Sequence, residues 1–184
     1  MRQLLKLHPD SRCLAATHIE VEVARPRGDS LVLSYIVTGK MNDIRMPPLT
    51  EAMRRDELWQ HTCFEAFVRD SLGGEYYEFN FAPSTQWAAY QFKSYRSGMR
   101  VAAEIGPPPI EVSSCPERYT LQASLALDRL SGLPHNSSWR LGLSALIEDM
   151  SGRKSYWALA HPPGKPDFHH ADSFAYELSR AVQP

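Results

Sequence analysis

The chain has 184 residues, a length suited to one domain, and its 43% hydrophobic and 22% charged residues allow a real core and argue against wholesale disorder. A formal net charge of −1, with basic residues scattered rather than clustered, supplies no pull toward nucleic acid or an anionic membrane. No apolar run approaches the roughly 20 residues of a membrane span.

The opening MRQLLKLHPD is interrupted by Lys6, His8 and Asp10 before a signal-type apolar region forms. Cys13, Cys63 and Cys115 are odd in number and lack metal-type spacing, which suits free thiols in a reducing compartment. The expected address is cytoplasmic.

In chain order, Ile19 to Val23 alternates apolar and charged residues, as a half-buried strand does. Arg25 to Asp29 reads as a turn, and Leu31 to Val37 as a β-branched, aromatic strand. Residues 39–57, with Pro47-Pro48 and three Met, form a long irregular connection of a kind that often carries function. Further strands are expected at 59–69, 75–82, 86–93, 99–105, 110–114 and 118–126. Asp128 to Leu133 reads as a short helical turn capped by Asp128. Strands resume at 139–147 and 154–160, joined by Asp149-Met-Ser-Gly152, and Phe174 to Leu178 closes the chain. Many short strands with little helical periodicity predict a single all-β domain over 1–184, an antiparallel two-sheet sandwich.

The hairpin at 58–82 carries the most information. Phe64, Ala66 and Val68 share one face of its first strand with Tyr77, Phe79 and Phe81 of its second, an ordinary core set. Keeping these faces together sets Asp70 opposite Glu75, Glu65 opposite Asn80 and Phe67 opposite Glu78. The other face then gathers Trp59, His61, Cys63, Glu65, Phe67, Glu78 and Asn80. A sheet face left to solvent is the plain alternative, but Trp59, Cys63 and Phe67 are odd residues for a surface meant only for water.

Other chemistry is weaker. His61 and Cys63 lie roughly 6.5–7 Å apart along one strand, with no nucleophile elbow beside them. Gly73-Gly74 is no phosphate loop. His161, Asp167, His169 and His170 fall within ten residues, yet His169 and His170 point oppositely if extended, so structural roles are expected rather than a metal site.

The stretches LWQHTCFEAFV (58–68), YYEFNFAPSTQWAAYQFKSYRSGM (76–99) and WRLGLSALIEDMSGRKSYWALAHPPGKPDFHH (139–170) resemble bacterial DOMON-like proteins, relatives of the family 9 carbohydrate-binding modules. The resemblance runs from about Leu58 to Leu178, with FNFAP and PDFHH its most specific segments. It implies a jelly-roll-like sandwich with a ligand groove on one sheet. Sugar-binding members clamp a sugar between aromatic rings, which makes Trp59, Trp87 and Trp157 the candidate rings. Glu65, Glu78 and Asn80, with His61 beside them, become the polar contacts. Haem-binding members use a Met and a His, for which Met41, Met46 and Met53 and His161, His169 and His170 are the candidates. Relatives of both kinds are usually exported, and this chain departs from them in showing no leader.

The leading expectation is a non-catalytic module for a neutral polyol such as a sugar, without a cofactor. A haem or metal protein, and a hydrolase using Glu65 or Glu78 with His61, are the alternatives.

Overall fold

The computed structural model describes residues 1–180. Twelve strands carry almost all of its regular structure: β1 (Arg2–Leu7), β2 (Ala16–Ala24), β3 (Ser30–Gly39), β4 (Cys63–Asp70), β5 (Tyr76–Phe81), β6 (Trp87–Phe92), β7 (Arg100–Val101), β8 (Ile110–Cys115), β9 (Arg118–Ala126), β10 (Trp139–Glu148), β11 (Lys154–Ala158) and β12 (Tyr176–Leu178). Three single 3-10 turns, Met41–Asp43, Leu58–Gln60 and Ala171–Ser173, complete the described elements.

Every strand pairing is antiparallel, in the order β7-β6-β5-β4-β10-β11-β1-β2-β3-β9-β8, with β12 beside β10. The ladder curls into two packed layers, and β1 is the hinge between them. Its residues Arg2 to Leu5 pair with β2 in one layer, and Lys6 and Leu7 pair with β11 in the other. The result is the all-β sandwich read from the sequence.

Alternation decides what lies between the layers. Ile19, Val21 and Val23 on β2, and Leu31, Leu33, Tyr35 and Val37 on β3, face inward from the first layer. Phe64, Ala66 and Val68, with Tyr77, Phe79 and Phe81, meet them from the second. Tyr35 is fixed in that core by donating its hydroxyl proton to the Glu65 carbonyl oxygen at 2.6 Å.

Several elements differ from the sequence reading. Arg2–Leu7 is a strand although its pattern drew no strand assignment. The expected strand at 59–69 starts at Cys63, because Trp59 sits in the 3-10 turn Leu58–Gln60 and His61 in the bend after it. The strand expected at 99–105 shrinks to Arg100–Val101. No helical element forms at 128–133; successive tight turns, closed by Leu130 N–H to Leu127 O and Leu133 N–H to Leu130 O, bury those three leucines instead. Burial of Leu130 and Leu133 on one side does not require a full helical turn.

Gly39 marks where β3 leaves β2. Its φ is +154°, and a Cβ there would lie 2.1 Å from the Ala15 carbonyl oxygen and 2.9 Å from Ala16 Cα. Both obstacles are backbone, so the strand pair itself would have to shift. Gly39→Ala is therefore expected to cost about 2–3 kcal/mol in a chemical denaturation experiment, whereas Gly106→Ala, where a Cβ meets nothing within 4 Å, should change little.

Candidate functional site

The outward face of the second layer is not open to water. All six residues of β5 are buried, as are the first six of β4. Cys63, Phe67, Tyr76, Ala88, Tyr90 and Phe92 form a second apolar cluster there, joined by Leu58 and Phe174. The turn at Leu58–Gln60 covers one side, and the segment after the Pro162-Pro163 loop covers the other. Gly142 permits the second cover, since a Cβ on it would lie 3.1 Å from the Ser173 carbonyl oxygen and 3.4 Å from Phe67 Cβ.

Between these covers lies a cavity of about 530 Å³, lined among others by Trp59, Glu65, Glu78, Tyr90, Phe92, Tyr156, Phe168 and His169. That volume is in the range of small-molecule sites. Strand register brings its floor together. Glu65 stands opposite Asn80 and Phe67 opposite Glu78, as the hairpin pattern predicts, and Ser144 of β10 and Tyr90 of β6 extend the two rows.

The floor is polar and thinly satisfied. Glu65 and Glu78 are only 4% and 5% exposed, and Asn80 is fully buried. Ser144 donates its hydroxyl to Glu65 Oε2 at 3.3 Å, and Asn80 Nδ2 donates to Glu78 Oε1 at 2.8 Å. Glu78 Oε2 lies 3.7 Å from His169 Nε2, beyond hydrogen-bond range. Glu65 Oε1 has no hydrogen-bond partner among the described residues. Burial holds both carboxyls well above the usual carboxylate range, and the Glu78 charge raises Glu65 further.

His169 is placed by contacts from three directions. Its Nδ1 lies 2.8 Å from the Tyr76 hydroxyl, and its ring meets Phe67 and Phe92 edge-on, with centroids 5.1 Å away in each case. The Tyr76 oxygen accepts the Arg96 backbone N–H at 3.2 Å. Burial, reinforced by the Arg96 charge, lowers His169 to about 4, so the ring is neutral at neutral pH. Asp167 ties down this segment: it accepts from Tyr95 at 2.5 Å, Arg96 at 2.8 Å and the His169 N–H at 3.1 Å.

Of the residues singled out from sequence, Trp59, Glu65 and Glu78 line the cavity, and Asn80 supports Glu78 from below. Trp87 and Trp157 do not. Trp87 pairs with Phe81 and packs in the main core under the Arg54 guanidinium, 4.2 Å from its ring. Trp157 pairs with Ala145 and is likewise in the core, donating Nε1–H to Ser155 Oγ at 3.2 Å. Alternation turns their neighbours outward instead, so Tyr90 and Tyr156 supply the rings. His61 is also elsewhere: its Nδ1 is 2.6 Å from Glu148 Oε2, on the protein surface.

The Met and His residues considered for haem are dispersed. Met41 is in the main core, Met46 packs against it and Met53 is half exposed. His161 meets His8 edge-on at 4.8 Å, and His170 caps the turn Ala171–Ser173. His169 alone of the three reaches the cavity, whose mouth carries Met99 rather than the earlier methionines. Among the described residues no group of three or more His, Cys, Asp or Glu could hold a metal ion.

No protein-family model and no curated protein matches the sequence. Solved structures do resemble the fold. A family 9 carbohydrate-binding module from Caldicellulosiruptor kristjanssonii in complex with cellotriose aligns with 100% of this chain and 84% of its own, at 14% identity and a TM-score of 0.59. A "putative carbohydrate-binding protein" from Bacteroides uniformis aligns over 98% and 86%, at 14% identity and a TM-score of 0.64. The same Caldicellulosiruptor family in complex with glucose aligns over 95% and 81%, at 15% identity and 0.54. At these identities the likeness establishes a shared fold: this chain has the sandwich architecture of the family 9 carbohydrate-binding modules.

Proposed function

We propose that the chain is a non-catalytic binding protein for a carbohydrate or similar polyol, seated in the cavity over Glu65 and Glu78. The observation that carries the reading is the pairing of aromatic walls with carboxylate oxygens left open toward the space between them. A sugar offers C–H faces to Trp59, Tyr90, Tyr156 and Phe168, and hydroxyl donors to the glutamates. The fold shared with carbohydrate-binding modules supports it by analogy. The resemblance of the FNFAP and PDFHH segments to DOMON-like proteins, relatives of those modules, supports the same reading.

The hydrolase alternative needed His61 beside the glutamates, and His61 bonds Glu148 instead. A Met–His haem site needed one of Met41, Met46 or Met53 at the cavity, and none lines it.

Trp59 is the tryptophan at the mouth, 37% exposed and edge-on to Tyr90 at 6.0 Å. Titrating mono- and oligosaccharides should therefore change tryptophan fluorescence and give saturable heat. Trp59→Ala and Glu78→Gln should each weaken that binding at least tenfold, about 1.4 kcal/mol. Absence of binding by every sugar at millimolar concentration, or binding indifferent to both substitutions, would reject the proposal.

A further inference from the structure

The carboxyls of Glu65 and Glu78 stand in this cavity without a paired cation. Among the described residues no Lys or Arg nitrogen comes within 4.0 Å of either, and the one ion-pair contact to them is His169 Nε2 at 3.7 Å from Glu78. Two cations do line the cavity without pairing with them: Arg96, tied to Asp167 at 2.8 Å, whose charge only partly offsets the burial of both carboxyls, and Lys154 on β11. The remaining titratable neighbours are uncharged at neutral pH: His169 is lowered to about 4, and burial raises the Cys63 thiol and the Tyr35, Tyr76 and Tyr90 phenols. Two carboxyls buried beyond nine-tenths, with Glu65 Oε1 unpartnered and turned toward a ring-lined space, form a receptor for positive charge.

We propose that the ligand is a polyol bearing a protonated amine, an amino sugar, whose ammonium group is received by Glu65 Oε1 and Glu78 Oε2. This rests on the carbohydrate reading of the same cavity. The aromatic walls suit it twice, stacking on the sugar's C–H face and attracting the cation through their π-faces. A neutral sugar would donate hydroxyl protons to the glutamates but leave a buried charge uncompensated. An ammonium group compensates it, and the pair gives up to solvent the proton it otherwise retains.

Calorimetry at pH 7 and fixed ionic strength, with D-glucosamine, D-glucose, N-acetyl-D-glucosamine and ethanolamine, tests the inference. Glucosamine is expected to bind at least tenfold more tightly than glucose or the N-acetyl derivative, and its heat should vary with the buffer's ionisation enthalpy because a proton is released. Glu65→Gln and Glu78→Gln should each weaken glucosamine by roughly tenfold more than they weaken glucose, which removes most of that preference. Added salt should weaken glucosamine and not glucose. Should glucose or N-acetylglucosamine bind as well as glucosamine, the ammonium assignment fails and the carbohydrate reading stands. Should ethanolamine match glucosamine, the cation site stands as such and the sugar reading fails. If none of the four binds at millimolar concentration, both fail.

Discussion

Phe79→Ala is expected to lower the unfolding free energy by about 3–5 kcal/mol, the usual cost of emptying a core aromatic site. Phe79 lies at the middle of β5 and is fully buried between the layers. Its cross-strand neighbours are Ala66 on β4 and Ala89 on β6, so its ring fills space that two small residues leave. Those alanines have no longer side chain to swing into the vacated volume, and collapse would require the strands to move. Urea unfolding followed by tryptophan fluorescence measures the effect, since Trp87, Trp139 and Trp157 are all buried and report loss of the core. Leu72→Ala, at a loop residue 97% exposed, is the control and should stay within about 0.5 kcal/mol. A loss under roughly 1 kcal/mol for Phe79→Ala would mean the ring is not a core element.

The same alternation that buries Phe79 explains what could be read in advance. In β4 and β5 each residue's parity is set by a run of large apolar side chains, so the Glu65–Asn80 pairing follows from the pattern. Trp87 and Trp157 read as ligand rings but face the core, and neither strand's pattern excludes that. β6 opens apolar on both sides, and in β11 Lys154 and Tyr156 alternate with Ser155 and Trp157, so each face carries one polar residue and one ring. Trp87-Ala88-Ala89-Tyr90 offers no polar residue to mark the outer face, and a tryptophan is as good a core filler as a ligand platform. The Asp149–Gly152 turn does hold the missing information, since it sets Tyr156 opposite Leu146 and Trp157 opposite Ala145. The cover over the site was not legible. His169 reaches Tyr76 across 93 positions, and Asp167 reaches Tyr95 across 72, through a Pro-rich segment without periodicity. Nothing local in PDFHH shows that it lies across β4 and β5, and so a face that alternation would leave to solvent becomes a cavity wall.

Raising the pH from 6.5 to 8 should destabilise the ligand-free protein, by about 2 kcal/mol for one carboxyl proton fully retained by the fold at a slope of about 1.4 kcal/mol per pH unit. Glu65 and Glu78 are both raised by burial, and the charge on Glu78 further opposes ionising Glu65. A carboxyl with a raised folded-state pKa binds more protons folded than unfolded. Its contribution is complete below the unfolded value of about 4.3 and is lost as pH rises through the folded one. His169 acts in the opposite sense: lowered to about 4, it costs stability as pH falls from about 6.5. The two effects oppose each other in mild acid, which leaves the interval above 6.5 to the carboxyls. Cys63 does not intrude, because its thiol is raised and the unfolded thiol ionises only near 8.5. Glu65→Gln keeps the size of the side chain and an oxygen to accept from Ser144, but has nothing to ionise. It should flatten the slope and make the protein more stable than the parent at pH 8, by on the order of 1–2 kcal/mol. Denaturant melts at half-unit steps between pH 6 and 8 measure both slopes. A flat parent curve, or a glutamine variant that loses stability with pH as steeply as the parent, would show that Glu65 is not the carboxyl that holds a proton in the folded protein.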